Sequence, residues 1–222
     1  MPQTIKTITS SGVNCYLVTT GESGFTLIDS GLSLGRTRLV KELENTGCLP
    51  GNLRLILITH ADSDHTGNAA FLRREYGAKI ALHPAEARAA QSGNLLDSRK
   101  SQTLLTRLII SLFKPPESDR FAPDLAVEDG QDLSAYGLKA RVVHLPGHTA
   151  GSIGILTIQG DLFCGDMLMA RKDGLRFGYG NPLDYKDSLE KLKNLEITTF
   201  YPGHGRPFSM EDFLRFYQTN RA

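Results

Sequence analysis

Cysteine is scarce: Cys15, Cys48 and Cys164 are the three in 222 residues, odd in number and far apart. That pattern excludes a disulfide framework and a zinc-ribbon spacing, and buried free thiols are expected instead. Long hydrophobic runs are missing too. The longest, such as "LILI" and "LIISLF", fall far short of the roughly 20 residues a bilayer-spanning helix needs, so no membrane span is expected. The first residues show no basic stretch followed by an apolar one, which argues against a secretory signal and for a cytoplasmic location. An excess of one charge is also missing. Lys and Arg number 25 against 24 Asp and Glu, a formal net charge of +1, so bulk electrostatics gives no reason to expect a nucleic-acid partner. No low-complexity linker interrupts the chain. With 40% hydrophobic residues, enough for a real core, residues 1–222 read as one domain.

What is there alternates between two periodicities. "TIKTITS" and "VNCYLVTT" alternate apolar and polar residues as strands do, and "GESG" reads as the hairpin turn before "FTLIDSG". Leu39, Val40 and Leu43 recur at helical spacing up to a stop at Gly47. "LRLILITH" is a continuous apolar strand, the pattern of a strand covered on both faces. "TGNAAFLRREYG" follows as a helix that Thr66 would cap and Gly77 would end, with Phe71, Leu72 and Tyr76 on one face. Residues 84–125 depart from this rhythm. "PAEARAAQ" and "KSQTLLTRLIISLF" read as helices and "KPPESDRFAPD" as a proline-broken loop. This helical insertion is read as packed on the core beside a cleft, with a lid or a homodimer contact as the sharper alternatives. Strands resume with "LKARVVHLPGH", "GSIGILTIQG" and "GDLFCGDML". Helices are expected at "DYKDSLEKLKNL" and "MEDFLRFYQTN", on either side of the strand "ITTFYPGHG". Two similar halves of strands and helices imply sheets covered by helices on their outer faces, an α/β class.

The chemistry gathers in one stretch, "ILITHADSDHTGNAAF". His60, Asp62, Asp64 and His65 fall within six residues at the end of the apolar strand. Two further histidines sit in similar strand-to-glycine breaks, His148 in "LPGHTAG" and His204 in "YPGHG", and Asp166 occupies another in "FCGDML". Strand ends are where such a scaffold displays its chemistry. One histidine in such a place is usually structural; four repeating the context argue for a metal site. Imidazole and carboxylate suit zinc, iron or manganese, and no cysteine is placed to help. Seven candidates exceed the needs of one tetrahedral ion, whereas two ions sharing a carboxylate would use them all. His83 and His144 lack the glycine-flanked context and read as structural, or as supports of a ligand rather than ligands themselves.

In this order the motifs resemble those of the metallo-β-lactamase superfamily, most closely its glyoxalase II-type hydrolases. The family's His-x-His-x-Asp-His motif corresponds here to His60-Ala61-Asp62-Ser63-Asp64-His65. The resemblance implies a four-layered αββα sandwich with a binuclear site at one edge of the two sheets. It implies one site from His60, Asp62 and His148, a second from Asp64, His65 and His204, and Asp166 bridging. Asp29, in "LIDSG", is similar to a family position that supports the site through hydrogen bonds. The implied cofactors are two divalent ions, zinc first, then iron or manganese. The implied reaction is hydrolysis by a metal-bridging hydroxide, with Asp64 and Asp166 as the catalytic carboxylates and a small-molecule ester, thioester or lactone as substrate. A diiron-type oxidoreductase, a nucleic-acid-processing member and a β-lactam-cleaving member are the alternatives. Only one helix follows His204, so no docking site for glutathione carboxylates is expected. Arg171, Lys172, Arg176 and Tyr179, read as a loop after Asp166, could meet an anionic substrate.

The departure from the motif is Asp62, where the family usually has histidine. A third carboxylate removes one unit of positive charge from the cluster. That predicts a less acidified water, and a harder donor set that moves preference toward manganese or iron.

Overall fold

The computed structural model describes residues 3–21, 24–99, 114–179 and 182–220. Six strands form one sheet in chain order: β1 (Ile5–Ser10), β2 (Val13–Thr20), β3 (Gly24–Ile28), β4 (Leu53–Leu57), β5 (Lys79–Leu82) and β6 (Leu125–Ala126). β1 to β3 meander antiparallel, and β3 to β6 run parallel. A second sheet is built from β7 (Ala140–His144), β8 (Ile153–Thr157), β9 (Asp161–Gly165), β12 (Thr199–Pro202) and β13 (Phe208–Ser209), in the order β13-β12-β9-β8-β7. A hairpin of β10 (Leu168–Arg171) and β11 (Gly174–Phe177) stands apart from both.

The apolar run of β4 explains how the layers close. Leu55, Ile56, Leu57 and Ile58 are all fully buried. Leu55 and Leu57 join Val18, Ile28, Val142, Ile155 and Phe163 in a core between the sheets. Ile56 and Ile58 point the other way, into a cluster with helices α1 (Arg36–Asn45), α3 (Ala69–Tyr76) and α4 (Pro84–Ser92). Each such side chain contributes about 1.5–3 kcal/mol by burial, and the period of two along the strand shares them between the faces. The second sheet repeats the scheme. Its outer face packs Leu189 and Leu192 of α5 (Lys186–Lys193) and Phe213 and Tyr217 of α6 (Met210–Asn220). The result is the four-layered αββα sandwich.

Strand direction places the chemistry. β7 and β9 are each antiparallel to β8, and β12 is parallel to β9, so β7, β9 and β12 deliver their C-terminal ends to one edge. Cross-links hold that edge against the first sheet. Ile153 N–H donates to Thr59 O (2.9 Å) and Asn14 N–H to Gly203 O (2.8 Å). The Tyr16 hydroxyl (2.6 Å) and Asn14 Nδ2 (3.0 Å) both donate to Pro202 O.

Two local expectations change. Thr66 does not cap the helix after the motif: a one-turn helix, α2 (Ser63–Thr66), comes first, and α3 begins separately at Ala69. The chain thus turns at Ser63, earlier than the Thr66-Gly67 pair suggests. The stretch after Asp166 is the β10–β11 hairpin rather than a loop, because Leu168 and Ala170 are pulled into the second outer core. The expected helix at 100–113 and the tip of the "GESG" turn lie outside the described residues.

Candidate metal centre

All seven candidate side chains meet where the two sheets' edges join. Among the described residues three donor groups form, each with ligand atoms within 4.8 Å of one another: His60, Asp62 and His148; His60, His65 and Asp166; Asp64, His65 and His204. His60 and Asp62 follow β4, and Asp64 and His65 ride on α2. His148 sits in the β7–β8 loop, and Asp166 and His204 follow β9 and β12.

The four histidines share one arrangement: Nδ1 is tied outward and Nε2 faces the cluster. His65 Nδ1 donates to Asp29 Oδ2 (2.8 Å), His148 Nδ1 to Tyr179 O (2.9 Å) and His204 Nδ1 to Gly12 O (2.8 Å). His60 Nδ1 lies 3.0 Å from Thr59 Oγ1, which spends its own proton on Asp29 (2.8 Å) and therefore accepts from His60. Each partner fixes the tautomer that leaves Nε2 with a lone pair.

Those lone pairs point at carboxylates. His148 Nε2 is 3.0 Å from Asp62 Oδ2, and His60 Nε2 is 3.7 Å from the same oxygen. His65 Nε2 is 3.4 Å from Asp166 Oδ1. His204 Nε2 is 3.3 Å from both Asp64 Oδ2 and Asp166 Oδ2. Acceptors facing acceptors at these distances require a cation between them, a proton or a metal. Among the described residues, His60 Nε2, His65 Nε2 and Asp166 Oδ1 are buried with no hydrogen-bond partner, as expected of atoms that would meet a bound ion. The donor set fits divalent ions.

The proton balance says the same. Burial pushes the imidazoles of His65, His148 and His204 down, but the carboxylates outweigh it. His65 rises well above its ordinary value through Asp29, Asp166 and Asp64, and His148 rises through Asp62. His204 is raised to about 10 by Asp166 and Asp64. Burial pushes the Asp62 and Asp166 carboxyls up, yet both fall well below the usual range. Asp62 is held there by His148, His60 and Arg99, and Asp166 by His65 and His204. Without metal, this is a cluster that attracts positive charge.

Glycines give the loops room to close. A Cβ on Gly203 would fall 2.4 Å from Asp166 Oδ1 and 2.6 Å from His65 Cε1. Gly165, at φ +52°, brings β9 against Thr59, where a side chain would collide at 2.6 Å.

Three supporting residues were not legible in the sequence. Glu86, on α4 and fully buried, accepts Ala61 N–H at Oε2 and Gly151 N–H at Oε1, both at 2.9 Å, tying the His60 loop to the His148 loop. Arg99 donates through Nη2 to Asp62 Oδ1 (2.7 Å) and Oδ2 (2.5 Å). Asn14 reaches from β2 to the backbone around His204. Buried carboxylates and amides at these positions carry no sequence motif; a charged residue inside the small-residue helix "PAEARAAQ" was the one available signal. Asp29 was foreseen as a support. It bonds Thr59 N–H, Thr59 Oγ1 and His65 Nδ1 from a left-handed backbone, φ +57°.

Two of the basic residues after Asp166 have partners within the hairpin. Arg176 pairs with Asp173, Arg171 donates to Met169 Sδ, and Tyr179 serves through its carbonyl while its side chain is exposed. His83 and His144 stack on each other, ring centres 4.5 Å apart and ring planes nearly parallel, and neither belongs to the three donor groups.

A family model described as the metallo-beta-lactamase superfamily matches residues 8–204. The chain is 30% identical over 163 residues to the hydroxyacylglutathione hydrolase GloC of Haemophilus influenzae, covering 72% of this chain and 69% of that protein. It is 33% identical over 150 residues to the hydroxyacylglutathione hydrolase of Shewanella loihica, covering 67% of this chain and 46% of that one. The chain thus spans about half the length of several curated relatives it matches. Among solved structures it is similar to TTHA1623 in a di-iron-bound form, with a TM-score of 0.70 and 28% identity, covering 96% of this chain and 97% of that one.

Proposed function

The chain belongs to the metallo-beta-lactamase superfamily, and on that footing we propose that it is a metal-dependent hydrolase of a small-molecule thioester, ester or lactone. The observation that carries the reading is the convergence of four imidazole Nε2 atoms on three carboxylates, with buried acceptors left unpartnered. His60, Asp62 and His148 would hold one divalent ion and Asp64, His65 and His204 a second, with Asp166 between them. Zinc is the first assignment for imidazole and carboxylate donors. Iron or manganese suits the same set, and the di-iron form of TTHA1623 supports iron. When bound, paired ions supply a hydroxide near neutral pH and polarise the oxygen of the electrophile.

The chain's own groups divide the remaining work. Asp64 is the most open of the seven, its side chain 30% exposed, so an entering water or acyl group meets this carboxylate first. It is the group to take the proton of the attacking water and return it to the leaving thiol or alcohol. Asp166 is buried between His65 and His204, where it fixes the spacing of the two halves. The outward Nδ1 contacts hold every imidazole in one orientation, so little reorganisation is needed when substrate arrives. The names of the relatives at about 30% identity support a thioester ahead of the other acyl substrates.

The test is a substrate panel on metal-replete protein of measured metal content: thioesters, lactones, phosphodiesters and β-lactams. Acyl hydrolysis that disappears in H148A and D166A supports the reading. Phosphodiester cleavage without acyl hydrolysis overturns it.

A further inference from the structure

Asp62 does not stand alone. Arg99 places one guanidinium nitrogen against both of its oxygens, and the Arg99 side chain is only 7% exposed. The arginine is pinned where it is. Its Nη1 donates to Leu95 O (2.8 Å), and the preceding residue, buried Ser98, accepts Ala150 N–H (2.8 Å) from the loop that carries His148. Arg99 is thus tied to the His148 loop as well as to Asp62. A second observation is the asymmetry of the donor groups. His65, on the other side, is backed by a carboxylate, Asp29, whereas the His60–Asp62–His148 group is backed by a cation.

We infer that Asp62 and Arg99 act as one ligand unit of zero net charge, standing in for a neutral imidazole, and that Arg99 makes the His60–Asp62–His148 site the weaker of two metal sites. Arg99 is a positioning residue in this scheme. The physical reasons are two. The guanidinium occupies carboxylate lone pairs that a metal would otherwise use, and its fixed positive charge repels an ion bound to the same carboxylate. The unit of positive charge that Asp62 removes from the cluster is returned by Arg99 at direct contact. The lowered cluster charge expected from Asp62 alone, and the less acidified water it implied, are therefore offset. A lone carboxylate would make this site the tighter one; a lone arginine beside a histidine would empty it.

The inference rests on the two-ion reading, and the test separates the two. Metal-free protein is titrated with zinc against a chelating dye, and both stepwise affinities are read for wild type and four variants. R99Q frees Asp62 and should tighten the weaker equivalent by about tenfold or more, the scale on which partners of metal ligands act. R99K keeps the charge and should stay near wild type, which also controls for a loss of folding in R99Q. D62H leaves an uncompensated cation beside neutral donors and should weaken the second equivalent by about tenfold or more. D62H/R99Q should restore it to near wild type. Equal second-step affinity in D62H and D62H/R99Q, or a second step unchanged or weakened in R99Q while R99K holds, overturns the inference. One equivalent at most in every protein overturns the two-ion reading, and the inference with it.

Discussion

Glu86 joins the two loops that bring His60, Asp62 and His148 together, so its removal should be felt both in stability and at the metal. Its two oxygens accept one backbone N–H each, from Ala61 and from Gly151, and the residue is fully buried. In E86Q one of these acceptors becomes an amide N–H₂, which faces the N–H it used to accept. One charge-assisted hydrogen bond, worth about 1.5–3 kcal/mol, is lost, and a buried N–H is left unpaired at a further cost of about 1–3 kcal/mol. The expected loss is about 3 kcal/mol, which for a chain of this size lowers Tm by about 6–12 °C. The His148 loop should also drift from Asp62, whose oxygen now lies 3.0 Å from His148 Nε2, weakening the metal site they share. Thermal unfolding followed by circular dichroism and a zinc titration measure the two effects on one sample. A Tm within about 2 °C of wild type with unchanged zinc affinity would refute the bridging role. A drop in Tm with intact metal binding would confine Glu86 to stability.

Two further outcomes follow from the site's geometry. G203A inserts a methyl group 2.4 Å from Asp166 Oδ1 and should displace that carboxylate, lowering zinc affinity about 10–100-fold with the far-ultraviolet spectrum retained; unchanged affinity would mean the loop yields freely. Metal uptake at pH 7.5 should release protons. His204, raised to about 10, is protonated in the metal-free protein, and nearby carboxylates shift His65 and His148 toward their protonated forms, yet each must offer a bare Nε2 to an ion. Apparent zinc affinity should therefore climb with pH and flatten above about 10, and titrations in buffers of different ionisation heat should give different enthalpies. The sign for stability is opposite. The raised His204 stabilises the metal-free fold fully below about pH 6.5, and that contribution is lost as pH rises through about 10. Zinc enthalpies independent of buffer would contradict this charge state.

The seven candidates were legible because they sit where apolar strands break into glycine-containing loops, with glycine directly before His148, Asp166 and His204 and just after His65. β4 was legible for the same reason, since four consecutive buried aliphatics admit few alternatives. Apart from Asp29, the residues that support the seven candidates were not. Thr59, Glu86 and Arg99 meet the site only through tertiary packing, Arg99 across 37 residues from Asp62. Arg99, the cation in contact with Asp62, could not enter a reading of the motif because it is remote in sequence. The β10–β11 hairpin was missed because "RKDG" and "RFGYG" carry more loop-like glycine and polar residues than strand pattern. Burial of Leu168 and Ala170, which sequence alone does not reveal, is what makes it a hairpin.

The central claim is that seven side chains form one cradle for two ions sharing Asp166. A crystal structure of the metal-reconstituted protein, with anomalous data at the absorption edge of the added metal, tests it most directly. The account predicts two peaks, one flanked by His60 and His148 and the other by His65 and His204, with Asp166 between them. A single peak, or peaks away from Asp166, would contradict it.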